Sequence, residues 1–184
     1  MRKLHITFVS LCCLLAFAAS AQDTNALKTE IGLFEAQTGV VIVKGFSQIG
    51  SVSTSEAVIS VRCKESTNVA TGRADYGIAV EIEANQWRQS ALVDYDELDS
   101  LLNGMDYLGK ISYGVTALSG FEATYATKSS LRLIAFSNKR QGGILAFLQY
   151  DDSPRFPLTS DQWNQLVNLI GQAKTTLDSL RTPR

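Results

Sequence analysis

The feature that most constrains the fold is a change of period partway along the chain. From Ala74 to Glu83 the residues Ala74, Tyr76, Ile78, Val80 and Ile82 alternate with Asp75, Gly77, Ala79, Glu81 and Glu83, which is how a strand with one buried face reads. From Asp94 to Gly109 the period switches: Leu98, Leu101, Leu102, Met105 and Leu108 recur at three- and four-residue spacings, the mark of an amphipathic helix. Asp94 with Glu97 forms a candidate capping box, and Gly109 is a natural stop.

The same switch happens again. Strand-like runs cover Phe121 to Thr127, Leu131 to Ser137 and Gly143 to Tyr150, with Ser129-Ser130 and Gln141-Gly142-Gly143 as turns. A proline-marked turn from Pro154 to Pro157 follows, and then a helical stripe of Trp163, Leu166, Ile170, Ala173, Leu177 and Leu180 from about Ser160 to Leu180. Thr159 and Gln162 form its capping box. The runs Leu131 to Phe136 and Ile144 to Leu148 are apolar at successive positions, which predicts central strands covered on both faces.

Upstream, Leu27 to Glu83 reads as strand. Val40 to Val43 is β-branched between Gly39 and Gly45, Ala57 to Cys63 alternates, and Lys64 to Arg73 is a long polar loop. The fold class expected is α+β: an antiparallel, curved or nearly closed sheet of about six or seven strands with two amphipathic helices, the C-terminal one packed on the sheet. Asp96 to Met105 and Asp161 to Ile170 resemble each other position by position. A duplicated strands-then-helix unit would account for this, but any two amphipathic helices with acidic starts look alike to the same degree.

The first 21 residues read as a secretory signal peptide. Arg2 and Lys3 give a cationic start, Ile6 to Ala19 is apolar apart from Thr7 and Ser10, and Ala19-Ser20-Ala21 places small residues before Gln22. The run is shorter than the roughly 20 residues a membrane-crossing helix needs. Cleavage after Ala21 leaves residues 22–184 as a single domain, expected to be soluble and either periplasmic or secreted. Cys12 and Cys13 lie inside the apolar run without the small preceding residue a lipoprotein signal wants.

Cleavage also narrows the available chemistry. Of three cysteines only Cys63 remains, so no intramolecular disulfide can form. The one histidine, His5, leaves with the leader. This removes histidine general bases, Ser-His and Cys-His pairs, imidazole metal sites and structural zinc. No cofactor and no metal site is expected. Cys63 shares a strand face with Ala57, Ile59 and Val61, and so reads as a buried small hydrophobe. Of 17 basic residues 15 remain against 18 acidic ones, a net charge of −3. With no basic cluster denser than Lys139-Arg140, nucleic acid is not an expected partner.

Two motifs fail on inspection. Gly104 to Ile111 approaches phosphate-loop spacing but has Ile111 where a hydroxyl must bind magnesium, and it sits in and after a helix. Asp94 to Asp99 starts like a calcium loop but places Leu98 at a ligand position and Asp99 where glycine belongs. Paired carboxylates are the catalytic device still open, drawn from Asp75, Glu81, Glu83, Asp94, Asp96, Glu122, Asp151 and Asp152, and no catalytic residue can be assigned among them. Trp87, Tyr95, Tyr107, Tyr113 and Tyr150 fall near element ends, where rings can line a groove. The balance leans away from an enzyme. The leading expectation is an exported, non-catalytic binding or interaction protein of the bacterial envelope or secretome with an unknown protein or small-molecule ligand. The alternatives are a carboxylate-dependent hydrolase and a structural or assembly component.

Overall fold

The computed structural model describes residues 28–85, 87–138 and 143–181. The signal-peptide reading and the Lys139-Arg140 pair lie outside the described residues. Class and C-terminal helix are as expected, but the strand count is not. Among the described residues eight strands form two separate four-stranded antiparallel sheets, and neither is closed. After a short helix α1 (Glu30–Glu35) come β1 (Ile42–Ser53), β2 (Val58–Asn68), β3 (Ala74–Ala84) and β4 (Trp87–Asp94), then α2 (Leu98–Lys110). The second half has β5 (Glu122–Ala126), β6 (Leu131–Asn138), β7 (Gly143–Tyr150) and β8 (Phe156–Leu158), then α3 (Ser160–Arg181).

Each sheet pairs its strands in chain order, and each is followed by a helix. The two halves therefore share one topology, where the sequence offered only a resemblance between helices. The helices are exchanged between the halves. α2 follows the first sheet but packs on β5 and β6, while α3 follows the second sheet and packs mainly on β1 and β2. The inner faces of both sheets meet α2 and α3 in one core that includes Ile59, Val61, Ile78, Val80, Leu101, Met105, Leu133, Leu148, Leu166 and Ile170. Two glycines permit the close approaches. A methyl group on Gly50 of β1 would lie 2.6 Å from Leu169 of α3, and one on Gly104 of α2 would lie 2.4 Å from the Tyr125 ring of β5.

Four expectations about elements need correction. Residues 30–35, inside the segment read as strand, form α1. This helix is capped by Thr29, whose Oγ1 accepts from the Gly32 amide at 3.1 Å. It lies on the outer face of the first sheet, where Ile31 packs with Ala79 and Leu92. β1 runs straight through Gly45 to Ser53 and absorbs one extra residue as a bulge between Gln48 and Gly50. The polar residues Lys64 to Asn68 belong to β2, because their outward side chains meet α1 rather than water: Lys64 and Ser66 both bond Glu35, and Asn68 bonds Gln37. Finally, β4 and β8 were missed. Trp87-Arg88-Gln89-Ser90 shows no apolar alternation, and β8 is three residues long inside a proline-marked turn.

Both capping boxes form. The Glu97 carboxylate accepts from the Asp94 amide at 3.3 Å, and Thr159 and Gln162 exchange amide-to-side-chain bonds of 2.8 and 3.2 Å. No described helix is long and apolar enough to cross a membrane.

Candidate functional site

Seven of the eight candidate carboxylates lie within 4.0 Å of a cationic side chain. Glu81 pairs with Arg62, Glu83 with Arg88, Asp75 with Arg73 and Glu122 with Arg155, while Asp152 lies 4.0 Å from Arg132. Asp151 sits at a turn with φ of 50°, a left-handed conformation that acidic residues tolerate better than most.

Asp94, which is 2% exposed, has the richest set of contacts. Its carboxylate accepts from the Glu30 and Ile31 amides at 2.8 and 3.1 Å and from Lys128 Nζ at 3.0 Å. Glu97 beside it accepts from the Lys128 amide at 2.9 Å. This cluster joins the end of β4, the start of α1 and the turn between β5 and β6. It fastens the two halves to each other. Burial raises the Glu97 carboxyl above its usual range. For Lys128, burial acts downward but is outweighed by Asp94 and Asp96, which hold the ammonium charged. Both acids are occupied by backbone amides, Asp94 by those of Glu30 and Ile31 and Glu97 by that of Lys128.

Cys63 is buried, as its register requires. Its thiol donates to the Ala173 carbonyl at 3.4 Å, and burial pushes its pKa up. A thiol so placed is a poor nucleophile. Among the described residues no group of three or more acidic, cysteine or histidine side chains is arranged to hold a metal ion.

The five aromatic residues do not converge. Tyr150 is core, and Tyr107 and Tyr113 are exposed at separate places. Tyr95 is held against Arg181 and Lys174, with its hydroxyl on Asp178. Trp87 is the one that lines a substantial cleft, about 650 Å³ in volume. Three turns from the two halves build it. Ser55 and Glu56 come from the β1–β2 turn, Ala84 and Asn85 from the β3–β4 turn, and Pro154 and Phe156 from the approach to β8. Trp87 and Phe156 lie 5.5 Å apart at 32° and form its aromatic wall.

The polar rim is positioned by local turn chemistry. Thr54 Oγ1 accepts from the Glu56 and Ala57 amides at 3.1 and 2.9 Å, a hydroxyl turn that fixes where Glu56 projects. Asn85 has φ of 52°, which reverses the chain into β4. Sequence reasoning singled out Trp87 but missed its companions. Phe156 lay in a segment read as turn, and Glu56 was one acid among many with nothing to mark it. Known protein families, curated proteins and solved structures were compared with the chain, and none matches it.

Proposed function

We propose that the chain is an exported binding protein without catalytic activity, and that its ligand occupies the Trp87 cleft. One observation carries this reading: a cleft built by both halves presents an aromatic wall and a carboxylate, Glu56, that forms no ion pair among the described residues. Such a site combines apolar contact with one orienting polar group, the common form of a small-molecule site. Export rests on the leader read at residues 1–21.

The hydrolase alternative draws no comparable support: seven of its eight candidate acids lie within 4.0 Å of a cationic side chain, and the eighth, Asp151, sits in the turn after β7. An assembly role rests on a different surface, the outer face of the second sheet, where Phe136 and Leu145 are 39% and 36% exposed. Native mass spectrometry of protein purified from the exported fraction tests the binding reading. The wild type is expected to carry a bound molecule that Trp87→Ala loses while keeping its melting temperature within a few degrees. An equal load on both proteins would exclude the cleft.

A further inference from the structure

Among the described strands β1 is the longest, at 12 residues, and it stands at the margin of the first sheet, paired on one side only, with β2. Its residues 43–48 are exposed, and the large apolar side chains of Val43 and Phe46 are 55% and 57% accessible. The other margins are better protected: β4 is buried over residues 91–94, and β5 and β8 have 5 and 3 residues. Exposed edges are usually blunted by proline, by lysine or by a bulge. β1 has no proline, its bulge comes only between Gln48 and Gly50, and its one charged residue, Lys44, is held by Glu35 of the same chain at 2.8 Å.

Residues 42–48 therefore form about 24 Å of regular strand with an open side. The Val69 amide donates to the Val41 carbonyl at 3.0 Å, which fixes the direction of the backbone groups along β1. Alternation in an antiparallel pair then turns Val43, Gly45 and Ser47 toward β2 and leaves the N–H and C=O groups of Ile42, Lys44, Phe46 and Gln48 facing outward.

We propose that a second copy of the chain pairs with this edge, its β1 running antiparallel about a two-fold axis at Gly45, so that the first sheets of the two copies join into one continuous sheet. Centred there, Ile42 faces Gln48 of the second copy and Lys44 faces Phe46, each twice by symmetry, and every outward N–H and C=O of residues 42–48 meets a partner. A shift by one residue would set outward groups against inward ones. Centring on Lys44 would oppose two like charges, and centring on Phe46 would run Ile42 into the bulge. Gly45 at the axis is a non-hydrogen-bonded pair, where Cα atoms approach to about 4.5 Å. Across the outer face the stem of Lys44 packs beside the Phe46 ring of the other copy, and Glu35 neutralises the ammonium.

The occupant is a second copy rather than an end of this chain, because the described chain starts and stops at the opposite margin of the sheet. α1 begins beside β4, where the Glu30 amide bonds Asp94, and Arg181 lies 3.7 Å from the centre of the Tyr95 ring just after β4. β4 is three strand spacings from β1, roughly 14 Å.

Gly45→Cys tests the axis. A methyl group at Gly45 meets nothing closer than 3.9 Å, so the fold has room for it, and a central pair lies within the Cα separation of roughly 4.4–6.8 Å that a disulfide spans. Under mild oxidation Gly45→Cys is expected to form a disulfide-linked dimer well above the background set by the wild type, whose Cys63 is buried. Val43→Cys should stay at that background, because the two cysteines would stand roughly 14 Å apart in this register. Sedimentation of the wild type should show a concentration-dependent dimer. Phe46→Lys, which opposes ammonium groups twice across the axis, should raise its dissociation constant roughly tenfold or more with the circular dichroism unchanged, and it decides the matter if a cysteine variant does not fold. The proposal is overturned if the wild type stays monomeric at the highest concentration reached, or if Phe46→Lys dimerises as the wild type does, which would place the contact on another face. Equal cross-linking at residues 43 and 45 would mean random collision and would overturn it as well. So would slow amide exchange at Lys44 and Phe46 in the dilute monomer, which would show the edge covered by another part of the same chain.

Discussion

The two sheets share a topology but not a fate for their outer faces. On the first sheet, α1 covers that face: Ile31 packs on Ala79 and Leu92, and Glu35 reaches Lys44, Lys64 and Ser66. On the second sheet no described helix covers the corresponding face, which carries Thr124, Arg132, Ile134, Phe136, Leu145 and Phe147 by register. The bidentate Glu122–Arg155 pair, at 2.8 and 3.1 Å, joins its two edges, and Ile134 at its centre is 1% exposed. The difference shows how one architecture finishes a sheet in two ways. One face is closed by an added element, the other only partly screened by its own side chains and the Glu122–Arg155 ion pair, with Phe136 and Leu145 left exposed.

The largest expected effect concerns what the two sheets have in common. Ile170 of α3 is fully buried in the shared core, and Ile170→Ala should cost about 2–5 kcal/mol through lost burial and a residual cavity. Thermal or denaturant unfolding is expected to show one cooperative transition at a lower midpoint. Two transitions would mean that the exchanged helices do not weld the halves together.

A smaller effect isolates the first sheet's cover. Asp94→Ala leaves the Glu30 and Ile31 amides without their acceptor, at a cost of about 1–3 kcal/mol for buried groups left unsatisfied. The Lys128 contact adds little, because that side chain is 36% exposed. Hydrogen exchange should accelerate in residues 30–35 far more than in β6 and β7. Uniform acceleration would show that Asp94 supports the whole fold rather than α1.

Acid sharpens the same contrast. Burial acts to raise the Glu35 carboxyl, but bonds from Lys44, Lys64 and Ser66 outweigh it and lower its pKa overall. A depressed folded pKa gives stability that is present above the unfolded value, about 4.3, and lost as pH falls through the folded value. Glu97 shifts the other way: its cost is present above its raised folded pKa and relieved on acidification. Glu35→Gln should therefore flatten the acid limb of the stability profile, whereas Glu97→Gln should steepen it. Unfolding midpoints between pH 3 and 7 read both slopes.

What the sequence disclosed, and what it withheld, follows from the range of the contacts involved. The stripes of α2 and α3 and the alternation of β3 were legible because burying one face leaves a local period. α1 was not, since its six residues depend on Asp94, which lies 63 residues beyond Ile31. β8 is too short to have a period, and the half of β4 nearest the turn carries mixed polarity. Division into two sheets was hidden because it is fixed by which sheet each helix packs on. At the candidate site Trp87 stood out by residue type, but Phe156 and Glu56 join it only through three turns that meet in space. Trp163 is core, as its place in the α3 stripe requires.

The smallest expected effect is the one that bears most on the second sheet. Its β6 and β7 runs predict cover on both faces, yet Phe136 on the outer face is 39% exposed. A side chain that keeps this much contact with water gains only part of the 1.5–3 kcal/mol that full burial brings. Phe136→Ser should therefore cost no more than about 1 kcal/mol, in line with partly exposed substitutions away from a core. It should also reduce any concentration-dependent association through that face, because it interrupts the apolar stretch from Phe136 to Leu145. Sedimentation together with thermal melts at two protein concentrations measures both quantities. A loss above about 2 kcal/mol that grows with protein concentration would mean that the face is closed in solution by another chain, and the two sheets would then be equally covered.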